Sequence, residues 1–347
     1  MSLIKLLKKK NPIRLFTTPS HGQRFFIFSK FRQFYKYDIS ETDAYNPQEA
    51  LKLAEKKASK IYGTKRTHFL TNGSTSGIIT AILTCVEKDD KVLVWKDSHI
   101  CHKNAIKLAG AKPIFYEVET DENFGIPKSI NIKYIKNLLE EYRPKAIIIT
   151  SPTYEGMVSD IKAIKEICKT TNTYLIVDEA HGALYPFSEK LPESAVKIAD
   201  FTVQSLHKTA GGLNPTALLH NNTNLDSEKA LELINTTSPS YPILASIEKN
   251  INYLNSSKGR KKINELIENI KNLKENCKTV DFCNYNDITK ILIKNNSLSG
   301  YELSEKLYEN RIEDEKTNKV STMLLTGLGT TKQNLKALEQ ILNKLEI

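Results

Sequence analysis

Tyr174-Leu175-Ile176-Val177-Asp178-Glu179-Ala180-His181-Gly182 decides how the rest of the chain is read. Four apolar residues end abruptly in two acids, a small residue, a histidine and a glycine. A short, continuous apolar run of this kind fits a strand buried on both faces, and the carboxylate of Asp178 then emerges beside a buried environment. Comparable runs lie at 67–70, 91–95, 113–118, 146–150 and 201–204, and they alternate with helical stretches at 78–86, 105–108, 132–142 and 161–171. Such alternation predicts an α/β fold, a mostly parallel central sheet with helices on both faces. Upstream, Asn46 and Pro47 read as the cap and first turn of a helix. Ala50, Leu51, Ala54, Ala58 and Ile61 recur along it at helical spacing until Gly63 ends it.

The chain has 347 residues, enough for roughly two domains at about 150 residues each. Beyond residue 256 it becomes helix-rich and lysine-rich, with strand-like runs at 288–293 and 319–325 and a closing helix at 332–345. The expected organisation is an amino-terminal arm over 1–45, a large domain over 46–256 and a small α+β domain over 257–347, joined at Ser256-Ser257-Lys258-Gly259. With 40% hydrophobic and 26% charged residues, the composition is that of a folded globular chain. The longest apolar runs fall far short of the ~20 residues that span a bilayer, and no apolar export segment precedes Pro19.

Fifty basic against forty acidic residues leave a net charge of +10. The excess is dispersed, and its densest runs, Lys8-Lys9-Lys10 and Arg260-Lys261-Lys262, lack the interleaved aromatics of a nucleic-acid groove. Five cysteines, Cys85, Cys101, Cys168, Cys277 and Cys283, are odd in number and form no Cys-x-x-Cys pair, which argues against a disulfide framework or a zinc site. The expectation is a cytoplasmic protein with no metal and with neither nucleic-acid nor membrane partners. Leu3, Ile4, Leu6 and Leu7, interspersed with lysines, predict an amphipathic start that packs on a partner subunit in preference to lying on a membrane surface.

In an α/β sheet, ligands bind beyond the carboxyl ends of the strands. Gly73-Ser74-Thr75-Ser76-Gly77 follows one such end and opens an apolar helix, so its N–H groups and hydroxyls suit a phosphate and equally suit plain helix capping. No Lys-Ser/Thr follows at the spacing of a Walker loop. Lys208, thirty positions after Asp178, follows another strand and is preceded by Ser205 and His207. A partly desolvated lysine amine can react with a carbonyl. A carboxylate for a ring nitrogen, a lysine for an aldehyde and a cup for a phosphate are the three requirements of pyridoxal 5'-phosphate. Each has a candidate here, at the end of a different predicted strand.

The ordered blocks Thr71-Asn72-Gly73-Ser74-Thr75, Cys101-His102-Lys103, Ser151-Pro152-Thr153-Tyr154-Glu155-Gly156, Asp178-Glu179-Ala180-His181-Gly182 and Gln204-Ser205-Leu206-His207-Lys208-Thr209 resemble the Orn/Lys/Arg decarboxylase family. Thr236-Thr237-Ser238-Pro239-Ser240-Tyr241 also matches a family segment, and the likeness covers most of 15–255. The resemblance implies the aspartate-aminotransferase fold (fold type I) and pyridoxal-phosphate-dependent decarboxylation of ornithine, lysine or arginine to the corresponding amine. It implies that Lys208 binds the cofactor aldehyde, that Asp178 pairs with the ring nitrogen and that His102 stacks on the ring face. It places Gly73, Ser74, Thr75, Ser205 and His207 at the phosphate and brings Thr236 to it from a neighbouring subunit, which makes a homodimer or higher homo-oligomer. His181 falls against the cofactor or packs beside it. Lys208 and His207 are the candidate proton donors to the product.

The chain departs from the family pattern in three places. Pro-Gly-His becomes Pro19-Ser20-His21, the acidic stretch after it is shortened to 38–46, and the sequence stops at Ile347, where family members continue into a further domain bearing a Pro-Gly-Glu-type loop. The amino-terminal wing domain of the large inducible enzymes is also lacking. Recognition of a basic side chain is therefore expected from another recess, with Glu155 as a candidate acid. Two other readings stay open on sequence alone: transamination or elimination on the same cofactor, and a non-catalytic cofactor-binding paralogue.

Overall fold

The computed structural model describes residues 2–8, 37–39 and 47–345. Most of the expected arm, the Asn46 cap, Pro19-Ser20-His21 and most of the 38–46 stretch lie outside the described residues. Within them the chain forms β1 (Arg66–Leu70), β2 (Lys91–Trp95), β3 (Lys112–Tyr116), β4 (Thr120–Asp121), β5 (Ile126–Pro127), β6 (Ala146–Thr150), β7 (Tyr174–Asp178), β8 (Phe201–Ser205) and β9 (Ala217–Asn221). Seven of these make one sheet in the order β1-β9-β8-β7-β6-β2-β3, while β4 and β5 pair separately. The sheet is parallel from β8 through β7, β6 and β2 to β3. Thr150 stands opposite Asp178, and Asp178 opposite Val203, so neighbouring strands deliver their carboxyl ends side by side.

The apolar runs are strands because both faces of each are covered. Along β6 and β7, Ile147, Ile149, Leu175 and Val177 enter one core, with Ile135 and Leu139 of helix Ile132–Tyr142 and Ile161 and Ile164 of helix Ile161–Thr171. The alternate residues Ala146, Ile148 and Ile176 enter the other core, with Ile78, Ala81 and Ile82 of helix Gly73–Cys85. Each fully buried Leu or Ile contributes about 1.5–3 kcal/mol. Asn131 and Asp160 cap the two helices of the first layer by accepting from Tyr134 N–H and Ala163 N–H.

One strand escapes the β/α pattern. β9 runs antiparallel to both β1 and β8, reached by a short return after helix Leu206–Thr209 with no crossover helix to announce it. Leu3, in helix Leu3–Lys8, is buried in the core of its own chain, and Ile4 N–H donates to Glu248 on helix Tyr241–Leu254. That corrects the expectation that this residue packs on a partner.

Toward the carboxyl end, β10 (Asp281–Phe282), β11 (Lys290–Lys294), β12 (Lys316–Thr317) and β13 (Thr322–Leu325) form an antiparallel sheet in the order β10-β11-β13-β12. The run expected at 319–325 is thus broken: β12 turns at 318–321 into β13. Helix Ser257–Asn276 is capped by Ser256, whose hydroxyl accepts from Gly259 N–H. Its Ile263 and Ile267 enter the core under the large sheet, and its Leu266, Ile270 and Leu273 enter the core of the small one. The closing helix runs Lys332–Leu342.

Two buried imidazoles make the large sheet sensitive to acid. Burial, with the Arg66 charge adding to it, holds His68 down to about 4; burial and the nearby His68 hold His220 down to about 3. The unfolded value is about 6.5, so both groups bind a proton more readily once unfolded. Their stabilisation is complete above about pH 6.5 and is lost as pH falls toward 4 and 3, by roughly 1–3 kcal/mol for each imidazole between pH 6.5 and 4. The thermal midpoint is expected to fall over that interval, and to fall less steeply in His68→Gln/His220→Gln. Equal slopes in the two proteins would remove these histidines as the cause.

Candidate functional site

At the carboxyl ends of β1, β2, β6, β7 and β8 the chain encloses a cleft of about 420 Å³. Gly73, Ser74, Thr75, Asp178, His181, His207 and Lys208 all line it. Gly73 adopts φ +74°, a left-handed conformation that a side chain would strain, and from there the chain turns directly into helix Gly73–Cys85. Asn72, at the cap position, makes no side-chain cap bond, which leaves the first-turn N–H groups without a side-chain acceptor beside the cleft.

β7 ends in Asp178 and is followed at once by Glu179, two acids with opposite fates. Glu179 turns into the protein, where Ala195 N–H, the Ser194 hydroxyl and Gln204 Nε2 donate to it, and burial pushes it up to about 7. Asp178 turns to the cleft. His102 Nε2–H donates to its Oδ2 at 2.8 Å, and Ala180 N–H donates to Oδ1 at 3.1 Å. Burial works to raise its pKa, but the His102 hydrogen bond and the charges of His102 and Lys208 outweigh burial and hold the carboxyl below its usual value.

Lys208 rises from the helix Leu206–Thr209 and is half-buried, with Nζ 2.9 Å from His181 Nε2. Burial lowers its pKa against the opposing pull of Asp178. Thus the amine and the acid face one cavity. Tyr154 closes one side, its ring centroid 4.5 Å from that of His181 and its hydroxyl donating to Glu315. Glu155, 5% exposed, is engaged by the Lys316 ammonium, which reaches over from β12.

Three expected residues lie elsewhere than in the cleft wall. His102 has no exposed surface and sits behind Asp178, bonded to it. Its ring is thus held against the Asp178 carboxylate, and the stacking role that the resemblance implies stays a proposal. His99, three residues earlier, does line the cleft. Ser205 is buried just before Lys208, its hydroxyl without a partner among the described residues. Thr236 is exposed on the 235–240 loop and bonds to Ser238 within its own chain.

Residues of the cleft to which sequence reasoning gave no role are Trp95, His99, Pro215 and Lys316. The first two were legible as the end of a strand and the start of the next helix. Lys316 was not, because a two-residue strand in a different sheet carries no pattern. Cys101, His102 and Asp178 bring their ligand atoms within 4.8 Å of one another. The histidine already donates to the carboxylate, and burial pushes the Cys101 thiol up to about 12, so the trio is a proton-sharing pair beside a neutral thiol.

Comparison with known proteins bears on the family and the fold. A family model described as Orn/Lys/Arg decarboxylase, major domain, matches residues 16–297. The uncharacterized protein YaaO of Bacillus subtilis is 31% identical over 339 residues, covering 90% of this chain and 71% of its own length. An arginine decarboxylase of Bacillus cereus is 29% identical over 362 residues, covering 95% and 78%. The solved structure of the lysine decarboxylase LdcF from Francisella novicida superposes with a TM-score of 0.82 at 20% identity, covering 99% of this chain and 59% of that one. This chain therefore spans less than two thirds of that structure, and at such identity the likeness is one of fold: the mostly parallel α/β architecture expected from the motifs. Since the matched residues are well over half of the chain and include every strand of the large sheet, the chain belongs to the Orn/Lys/Arg decarboxylase family.

Proposed function

We propose that this chain decarboxylates a basic amino acid, ornithine, lysine or arginine, with pyridoxal 5'-phosphate, releasing CO2 and the corresponding amine. The observation that supports it most directly is the convergence of Lys208, the His102-held Asp178 and the Gly73–Thr75 turn on one cleft, in a chain of this family. No helix among the described residues is long and apolar enough to cross a membrane, and a cytoplasmic location remains part of the proposal.

The residues present fit that cofactor. The Ser205 hydroxyl and the indole N–H of cleft-lining Trp95 are buried without partners among the described residues, and so is Nδ1 of His181. Buried polar atoms in proteins are otherwise nearly always satisfied, which suits a polar ligand that completes them. Lys208 would hold the aldehyde, the helix N-terminus at Gly73, Ser74 and Thr75 the phosphate with Ser205 and His207, and Asp178 the ring nitrogen. Bound there, pyridoxal phosphate supplies an electron sink for the pair left behind when CO2 departs.

The protein's own part is to place charges and protons. Asp178, kept ionised by His102, holds a proton at the group it faces. His207 donates through Nδ1 to the Thr216 carbonyl at 3.0 Å, which fixes its ring beside Lys208. Lys208 Nζ, against His181 Nε2, is the better placed of the two candidate donors for returning a proton to the product carbon. Glu155 is the acid a basic substrate side chain would reach by taking the place of Lys316. Thr236, exposed and outside its own cleft, would serve the cleft of a second copy, as the family resemblance implies.

Three outcomes test this. Cofactor-loaded protein incubated separately with ornithine, lysine and arginine is expected to release CO2 and amine from at least one, and Lys208→Ala to lose roughly 10²–10⁴-fold or more of that rate. Keto acid or ammonia in place of CO2 would assign a different reaction to the cleft. Because burial lowers the Lys208 pKa, the cofactor should be captured by the free amine at a pH below that needed by exposed lysines. Borohydride trapping and peptide mapping across pH reads this, and indiscriminate labelling would contradict it. Light scattering should show at least a dimer, and Thr236→Ala should weaken cofactor binding; a monomer that holds the cofactor tightly would sink the shared cleft.

A further inference from the structure

Lys290 in β11 has no exposed surface. Its ammonium is spent entirely inside, donating to Asp287 Oδ2 at 2.6 Å, to the His181 carbonyl at 2.7 Å and to Thr289 Oγ1 at 3.0 Å. Asp287, also enclosed, accepts the Tyr185 hydroxyl at 2.7 Å through Oδ2, and the N–H and hydroxyl of Thr289 at 2.8 and 2.9 Å through Oδ1. Burying two charges costs several kcal/mol for each ion, and apolar residues of the same volume often stabilise a fold at least as well. Stability alone therefore gives little reason for an ion pair here. Its position gives one, because the carbonyl it grips belongs to the residue whose imidazole faces Lys208.

We propose that Lys290, with Asp287 as its counter-ion, is a positioning residue for Lys208: by clamping the His181 carbonyl it fixes the imidazole against which the reactive amine is held. This rests on the reading of Lys208 as the cofactor-binding amine. The clamp reaches the cleft from the small sheet, so it also ties the geometry of that sheet to the reactive amine. The loop around it is fastened twice more, by Asp287 N–H to the Gly156 carbonyl at 2.8 Å and by Asn286 Nδ2 to the Glu155 carbonyl at 2.8 Å.

Charge works in the same direction as geometry. The groups facing His181 are Lys208 and His207 from the helix after β8, Tyr154 from the 151–156 turn, Lys290 from β11 and Asp178 from its own strand end. Burial and the two lysine charges hold the imidazole well below its usual pKa against the pull of Asp178. A neutral ring with its proton on Nδ1 presents a bare Nε2 that can accept an N–H from Lys208, whereas an imidazolium would repel the amine.

The test is the double variant Lys290→Met/Asp287→Asn, which removes the pair without stranding either charge. In the cofactor-free protein, ¹⁵N spectra of the His181 imidazole are expected to show its titration moving up by about one unit or more. Capture of pyridoxal phosphate on Lys208, trapped with borohydride, should slow by about tenfold or more at neutral pH. A folded double variant with both readouts unchanged overturns the proposal. Should the double variant fail to fold, the wild-type spectrum decides: neutral His181 protonated on Nδ1 at pH 7 supports the clamp, and an imidazolium or an Nε2 proton overturns it. Wild-type protein that never captures the cofactor on Lys208 defeats the functional reading itself, while the titration of His181 still reports on Lys290 separately.

Discussion

The site depends on a carboxylate staying ionised at the end of a strand whose central residues have no contact with water. Leu175, Ile176 and Val177 are fully enclosed and Asp178 is only 7% exposed. Desolvation of an ion in such a place costs several kcal/mol, and one charge-assisted hydrogen bond contributes about 1.5–3 kcal/mol. A single partner therefore does not suffice. The structure supplies His102 to one oxygen, the Ala180 N–H to the other and the charge of Lys208 across the cleft. His102 is enclosed along with the acid it serves, and that burial strengthens the bond between them.

Much of the fold was legible because burial on both faces writes a continuous apolar run into each central strand. The runs at 91–95, 146–150 and 174–178 coincide with β2, β6 and β7, and the helices at 132–142 and 161–171 coincide with the observed ones. β9 was hidden for a physical reason. An antiparallel strand needs no crossover helix, so Ala217–Asn221 follows its neighbour without the change of period that marks the others. β12, two residues long, has no period at all.

The site was legible to the extent that its residues sit immediately after strands. Gly73, Ser74, Thr75, Asp178, His181, His207 and Lys208 come together in one cleft because the parallel sheet places successive carboxyl ends in a row. Direction within a turn was not legible. His99 and His102 differ by less than one helical turn, and only packing decides that the second points into the protein and the first into the cleft. Lys316 and Lys290 come from a different sheet and Asp287 from the loop between two of its strands, and nothing in their local sequence separates them from the many other lysines and acids of a lysine-rich segment.

The two sheets meet where the chemistry is, through backbone as well as charge. Leu328 N–H donates to the Thr209 carbonyl at 3.0 Å, next to Lys208, and Gly327 lies so close to the Thr209 backbone that a Cβ would come within 2.4 Å of its carbonyl oxygen. Asp287 N–H and Asn286 hold the turn that carries Tyr154 and Glu155, while Lys290 holds His181. Three of the segments that line the cleft are thus gripped by the small sheet and the loops that flank its strands. A shift of that sheet would be felt at the amine, at the acid facing Lys316 and at the imidazole together, because packed interiors pass displacement on rather than absorb it. The small sheet accordingly acts as part of the wall that sets the distance between Lys208 and His181, and the strand ends of the large sheet determine what faces the cleft.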